Sequence, residues 1–145
     1  MRELPRELSV EELSELFEGQ TELVRELASR PDPLDAAREL VHELSEPAKH
    51  EALNAHPAIG ASRLSARSAT EQGMDEDPTV LAELATLNRD YETRHGFRFV
   101  IFVNGRPRRE VLEVLKTRIG RSTPEERETA LDELVSIAQD RWRHA

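Results

Sequence analysis

The stretch DEDPTVLAELATLNRDYETRHG, residues 75–96, decides the fold class of this chain. Asp77 is a favourable N-cap residue, Pro78 suits the first helical position, and Gly96 is a typical C-terminal stop. Between these signals, apolar residues recur every three or four positions: Leu81, Leu84, Leu87 and Tyr91. The stretch therefore predicts an amphipathic helix that buries one face.

Similar signals divide the rest of the chain. Ser9 with Glu12, and Ser122 with Glu125, have the spacing of a capping box at a helix start. Further helices are predicted from Ser9 to Phe17, over Thr21–Arg30, over Leu34–Leu44, over Pro47–His56, as a short helix ending near Gln72, from Pro107 to Gly120, and from Ser122 to the C-terminus. The 145 residues suit a single domain, 1–145. We expect an all-α, compact bundle of about seven to eight helices.

One segment breaks the helical pattern. Phe97–Val103, FRFVIFV, is the only stretch with strong β character. An isolated extended segment must bond its backbone groups to side chains, a second subunit or a ligand. The alternative is the apolar start of a buried helix. Asn104-Gly105 would suit a hairpin turn, but no second strand follows, so Asn104–Pro107 is predicted to be a connector to the next helix.

Composition excludes several classes of function. A net charge of −9, from 29 acidic and 20 basic residues, disfavours binding to nucleic acid or to an anionic membrane. No apolar run is long enough to span a bilayer, and the N-terminus lacks the apolar core of a signal peptide. The chain has no cysteine, and its five histidines form no HExxH-like pair, so we expect no metal site. These features predict a cytoplasmic protein.

His56 is the first candidate for catalysis. It precedes Pro57 at the predicted end of a helix, where the chain enters a glycine-containing loop. Its imidazole has a reference pKa near 6.5, which suits general acid or base chemistry. The alternative is that His56 only complements the C-terminal helix dipole.

Glu71 and Gln72 form an adjacent acid and amide pair in a segment too polar for a core. Glu71 could hydrogen-bond an imidazole and fix its tautomer, while Gln72 could both donate to and accept from a planar, amide-like ligand. The alternative is a solvated helix face.

Arg141 lies on the apolar side of the last predicted helix. At about 100° per residue, it falls between Leu134 and Ile137. An unpaired buried guanidinium is unfavourable, so Arg141 should meet a carboxylate of the protein or of a ligand. From spacing alone, a structural salt bridge and a ligand anchor both remain open.

Six motifs in order resemble the family of 2-oxo-4-hydroxy-4-carboxy-5-ureidoimidazoline (OHCU) decarboxylases. Each motif is weak alone, but together they span roughly residues 44–142. They are His56-Pro57-Ala58-Ile59-Gly60, Ser68-Ala69-Thr70-Glu71-Gln72, Asn88-Arg89-Asp90-Tyr91, Gly96-Phe97-Arg98-Phe99-Val100-Ile101, Gly105-Arg106, and Ile137-Ala138-Gln139-Asp140-Arg141. The order of the motifs makes the resemblance specific.

The resemblance implies a helical enzyme, usually a homodimer, that converts OHCU to (S)-allantoin in urate degradation without a metal or organic cofactor. It implies that His56 is the catalytic acid or base, that Glu71 is its partner, and that Arg141 anchors the small-molecule substrate. It also implies a set of substrate-binding residues: the side chains of Pro57, Ser68 and Gln72, and the backbone of Phe99, Val100, Ile101, Phe102 and Val103.

The chain departs from the family pattern in three places. The Phe-Glu-x-x-x-Trp motif keeps Phe17-Glu18 but has no tryptophan, the spacing from His56 to Glu71 is short, and GMDEDP follows Gln72. Two alternatives to the decarboxylase therefore remain. The chain could be a family member that acts on another ureido or imidazoline acid, or a non-catalytic helical module that binds a protein partner.

Overall fold

The computed structural model describes residues 3–57 and 78–144. This part of the chain contains seven α-helices and no β-strand, which confirms the predicted all-α class. The helices are α1 (Val10–Phe17), α2 (Glu22–Ala28), α3 (Pro33–Glu43), α4 (Glu46–Ala55), α5 (Pro78–His95), α6 (Arg108–Arg118) and α7 (Thr123–Arg143). The predicted short helix near Gln72 and the predicted N-cap Asp77 lie outside the described residues.

The predicted helix starts agree with the structure to within one or two residues. At α1 the full capping box is present: the Glu12 backbone N–H donates to Ser9 Oγ (3.1 Å), and the Ser9 N–H donates to Glu12 Oε1 (3.0 Å). At α7 the Glu125 N–H donates to Ser122 Oγ (3.3 Å), but the Glu125 carboxylate accepts from the Ser122 hydroxyl (2.9 Å) instead of the backbone. Helix α2 ends at Ala28, before the predicted Arg30.

Helix α7 is the central element of the bundle. It packs along α3 and also contacts α1, α4 and α5, while α5 and α6 pair with each other. Its buried residues are the apolar Ala130, Leu131, Leu134, Val135, Ile137 and Ala138 together with the charged Glu126 and Arg141. Within residues 3–57 and 78–144, no helix combines the length and apolar character that crossing a bilayer requires.

The segment 97–103 is neither helix nor strand. The alternative of a buried helix start is therefore wrong. The side chains of Phe97, Phe99, Val100, Ile101 and Val103 are buried, and that of Phe102 is half-buried. A turn with positive φ at Asn104 (50°) and Gly105 (77°) then leads into α6, so the predicted connector is confirmed.

A buried ionic cluster supports this extended segment. Glu126, which has no solvent exposure, accepts hydrogen bonds from the Tyr91 hydroxyl (2.7 Å), Arg118 Nε (2.8 Å) and Arg121 Nη1 (2.8 Å). Arg118 uses another nitrogen, Nη1, to donate to the carbonyl of Val100 (2.8 Å). Because a buried carboxylate must be fully hydrogen-bonded to be tolerated, this cluster fixes where the segment can lie.

A second charged cluster joins α3 to α7 at the surface. Nδ1 of His42 lies 3.0 Å from Glu128 Oε1, and Nε2 lies 2.8 Å from Asp132 Oδ1. Lys49 also contacts Glu128 (2.9 Å), and Arg38 lies 3.6 Å from Asp132. Burial opposes the charge of His42, but the hydrogen bonds and charges of the two carboxylates outweigh burial and raise the pKa of His42.

This raised pKa predicts a pH-dependent stability. A histidine whose pKa is higher in the folded state stabilises the fold fully below its unfolded pKa, near 6.5, and this contribution is lost as pH rises through the folded value. His42→Gln should therefore lose more stability relative to wild type at pH 6 than at pH 8.5, as measured by urea denaturation. An equal loss at both pH values would contradict the charged state of His42.

Candidate active site

His56 lies where α4 ends and its side chain enters the interior. The residue before a proline is driven out of helical geometry, and His56 accordingly has φ −77° and ψ 136°. Its backbone N–H still donates to the carbonyl of Leu53 (3.2 Å). Only 6% of His56 is exposed, and Nδ1 has no hydrogen-bond partner among the described residues. Among the described residues, this buried imidazole therefore keeps one nitrogen whose hydrogen-bonding capacity is not used.

Arg98 connects the extended segment to this end of α4. Its Nη1 donates to the carbonyl of His56 (2.7 Å), and its backbone N–H donates to Asn54 Oδ1 (3.0 Å). Its Nε also lies 3.6 Å from Glu92 of α5. These contacts fix the position of His56 relative to residues 97–103.

The surroundings of His56 favour its neutral form. Burial is the largest cause, and with the positive charges of Arg141 and Arg98 it lowers the pKa of His56 to about 4, while the negative charge of Glu18 acts in the opposite direction. At neutral pH the resting imidazole is therefore uncharged. It can accept a proton, but it can act as an imidazolium acid only after its pKa has been raised.

Arg141 reaches the same region from α7. Its side chain is 1% exposed, and Nη1 lies 3.0 Å from both the carbonyl of Leu16 and Glu18 Oε1, at the end of α1. The expected carboxylate partner is therefore present in the protein itself. Since Arg141 also influences the pKa of His56, the structure brings these two sequence-predicted residues into one electrostatic environment.

The extended segment directs its side chains into the core and has several carbonyls bound by arginines. Besides the bond to Val100, Arg106 donates from Nη2 to Phe102 O (2.7 Å) and from Nε to Val103 O (3.0 Å). Guanidinium groups thus supply the backbone partners that the sequence alone could not identify. Because most of these side chains are buried, a ligand there would meet mainly the peptide groups and the half-buried side chains of Arg98 and Phe102.

The remaining predicted site residues divide into two groups. Pro57 follows His56 and is half-buried. Ser68, Glu71 and Gln72 lie outside the described residues, so the predicted contact between His56 and Glu71 stays a prediction. Among the described residues, no group of three histidine or carboxylate side chains is arranged to hold a metal ion.

Two residues of the site were not predicted. Glu18 and Arg98 both affect His56, yet each stands in a motif that was noticed for other reasons: Phe17-Glu18 and the FRFVIFV stretch. The signal available for Glu18 was its place in a family motif next to Gly19. Nothing in the local pattern indicated that its partner would be Arg141.

The family model described as OHCU decarboxylase matches residues 2–143. The chain belongs to this family. A curated relative from Halalkalicoccus jeotgali, named 2-oxo-4-hydroxy-4-carboxy-5-ureidoimidazoline decarboxylase, is 32% identical over 103 residues. The match covers 68% of this chain and 58% of the relative, so the chain spans less than two thirds of that relative's length.

Two solved structures have a similar fold. One, described as OHCU decarboxylase in the presence of (S)-allantoin, superposes with a TM-score of 0.77 at 25% identity and covers 92% of this chain and 96% of that chain. Another, described as (S)-allantoin synthase, has a TM-score of 0.70 at 23% identity and covers 93% of this chain and 48% of that chain. The second similarity supports the fold alone. The family match, the curated relative and the first solved structure together confirm the resemblance drawn from the six motifs.

Proposed function

We propose that this chain decarboxylates OHCU to (S)-allantoin in the degradation of urate, with no metal or organic cofactor. The observation that carries the proposal is the buried pair of His56 and Arg141, which share one electrostatic environment at the positions where the family resemblance expects an acid or base and a substrate anchor. Membership of the OHCU decarboxylase family supports the substrate class.

The reaction needs little beyond orientation and a proton. The bond between the ring carbon and the carboxylate breaks, CO2 leaves, and its electron pair passes into the conjugated imidazoline. The ring nitrogen that receives the electron pair is protonated, a second proton is delivered to the ring carbon that carries the ureido group, and the neighbouring hydroxyl loses its proton to become the carbonyl of allantoin. Because the ring itself accepts the electrons, the protein has to hold the carboxylate, stabilise the developing charge and protonate one face. Protonation from one side gives (S)-allantoin instead of a racemate.

In this proposal, substrate binding makes the neutral His56 easier to protonate. The substrate carboxylate, held at Arg141, adds a negative charge to a site in which positive charges depress the pKa of His56. The added charge raises that pKa, so His56 gains a proton more readily when substrate is present. In this proposal Glu71 orients the imidazole ring of His56. The ureidoimidazoline is held by Pro57, Ser68, Gln72 and the peptide groups of Phe99–Val103.

The test is a coupled assay with circular dichroism detection. Urate is oxidised by uricase, its product is hydrolysed by hydroxyisourate hydrolase, and the chain is then added. We expect faster release of CO2 and an optical signal of dextrorotatory allantoin. Racemic allantoin at the uncatalysed rate would contradict the proposal and favour a non-catalytic binding module. Turnover of only another ureido or imidazoline acid would indicate a member with a changed substrate.

We also propose a homodimer, which the family resemblance supports, and a cytoplasmic setting, which agrees with the lack of any bilayer-spanning apolar run in the sequence. Sedimentation velocity at micromolar concentration should give twice the mass of one chain. A monomer that retains full activity would contradict the dimer. Fractionation of the source cells should recover the protein with the cytoplasm, and recovery with membranes would contradict that location.

A further inference from the structure

Helix α1 ends in an unusual way. Glu18, its C-cap residue, has φ 64° and ψ 29°, which is the left-handed region. Glycine or asparagine is favoured in this conformation, because a Cβ makes it strained. Here a glycine is available at the next position, Gly19, yet the glutamate takes the left-handed conformation. Strain of this kind persists where the surroundings fix it, and it often marks a residue whose side chain has a function.

The Glu18 side chain points to Arg141. Its Oε1 lies 3.0 Å from Arg141 Nη1, and the carbonyl of Leu16 accepts a hydrogen bond from the same nitrogen. The last turn of α1 therefore holds the guanidinium with one carboxylate and one carbonyl. The Glu18 side chain is 18% exposed, so its charge is only partly screened by solvent.

The charge of Glu18 also reaches His56. Three charged residues of the described part influence this imidazole, each from a different element: Glu18 from α1, Arg98 from the extended segment and Arg141 from α7. Glu18 alone among them favours protonation. One carboxylate thus contacts the proposed anchor and supports the proposed acid or base.

We propose that Glu18 is a positioning residue of the active site, which orients Arg141 for the substrate carboxylate and offsets its positive charge next to His56. This inference rests on the proposed decarboxylase function. Glu18 acts through Arg141 and His56 and needs no contact with the substrate.

The decisive variant is Glu18→Gln, which keeps an oxygen that can accept a hydrogen bond from Arg141 but removes the charge. We expect the onset of His56 protonation, followed by NMR of its ring protons, to move to lower pH by about one unit. We expect kcat to fall about tenfold while KM changes less than threefold, because a weaker base takes up the proton less readily. The matched control is Glu15→Gln, an exposed position on the same helix, which should change neither quantity.

A second variant, expected to shift the His56 titration in the opposite direction, strengthens the test. Arg98→Met removes a positive charge, so the onset of His56 protonation should move to higher pH. If Glu18→Gln lowers stability but leaves both the His56 titration and kcat unchanged, Glu18 is only structural and the proposal is overturned. If Glu18→Gln does not fold, Glu18→Asn, which tolerates the left-handed conformation and also lacks the charge, replaces it for the titration, with the same expected shift of His56 to lower pH.

Failure of the proposed function is distinguishable from failure of this inference. The NMR titration needs no substrate, so it reports on Glu18 and His56 even if the wild-type chain fails to decarboxylate OHCU. An inactive wild type would overturn the proposed function. An active wild type with an unshifted His56 titration in Glu18→Gln would overturn the positioning role alone.

Discussion

His56→Ala is expected to lower kcat for OHCU decarboxylation by roughly 10²- to 10⁴-fold, the usual contribution of a positioned acid or base. The loss follows from the position of His56, whose buried imidazole has a free Nδ1 among the described residues. Steady-state kinetics in the coupled assay measures the effect. KM should change much less, because the substrate carboxylate is assigned to Arg141.

The fold should survive this substitution. The backbone N–H of His56 keeps its bond to Leu53, and the carbonyl of His56 keeps its bond to Arg98. Nδ1 of His56 has no hydrogen-bond partner among the described residues, so removing the imidazole breaks no hydrogen bond at that nitrogen. Urea denaturation should therefore give a cooperative transition. His144→Ala, at an exposed histidine, is the control, and a His56→Ala variant within threefold of wild-type kcat would contradict the assignment.

Local signals predicted the helices well, because each end is set by a few neighbouring residues. Ser9 with Glu12 caps α1, and Pro57 forces His56 out of the helix, as expected. The exact ends were predicted less accurately: α2 was expected to reach Arg30 but ends at Ala28. A proline at position 31 prevents a helix from continuing, but it does not require the helix to extend up to the residue before it.

Tertiary pairings could not be predicted from the same signals. Glu126 stands in the first turn of α7, where a glutamate usually faces solvent, yet it is fully buried by Tyr91, Arg118 and Arg121. The pairing of Glu18 with Arg141 also joins distant parts of the chain. Helical periodicity placed Arg141 on the buried side but could not name its partner, since that depends on how α1 packs against α7.

Arg141→Met should raise KM by roughly 10- to 100-fold, since a hydrogen bond to a charged group contributes about 1.5–3 kcal/mol. Methionine fills a similar volume and removes the guanidinium that the proposal assigns to the substrate carboxylate. kcat should fall as well, because a misplaced carboxylate moves the reacting carbon away from His56. Arg143→Met, two residues further along α7, is the matched control and should leave KM unchanged.

A double variant separates the anchor from a structural salt bridge. Arg141→Met leaves the Glu18 carboxylate without the Nη1 contact and should reduce the free energy of unfolding, whereas Glu18→Gln with Arg141→Met removes both charges and should recover part of that loss. Stability is then partly restored while KM stays high. If KM returns toward the wild-type value together with stability, Arg141 serves the fold and a different group must hold the substrate carboxylate.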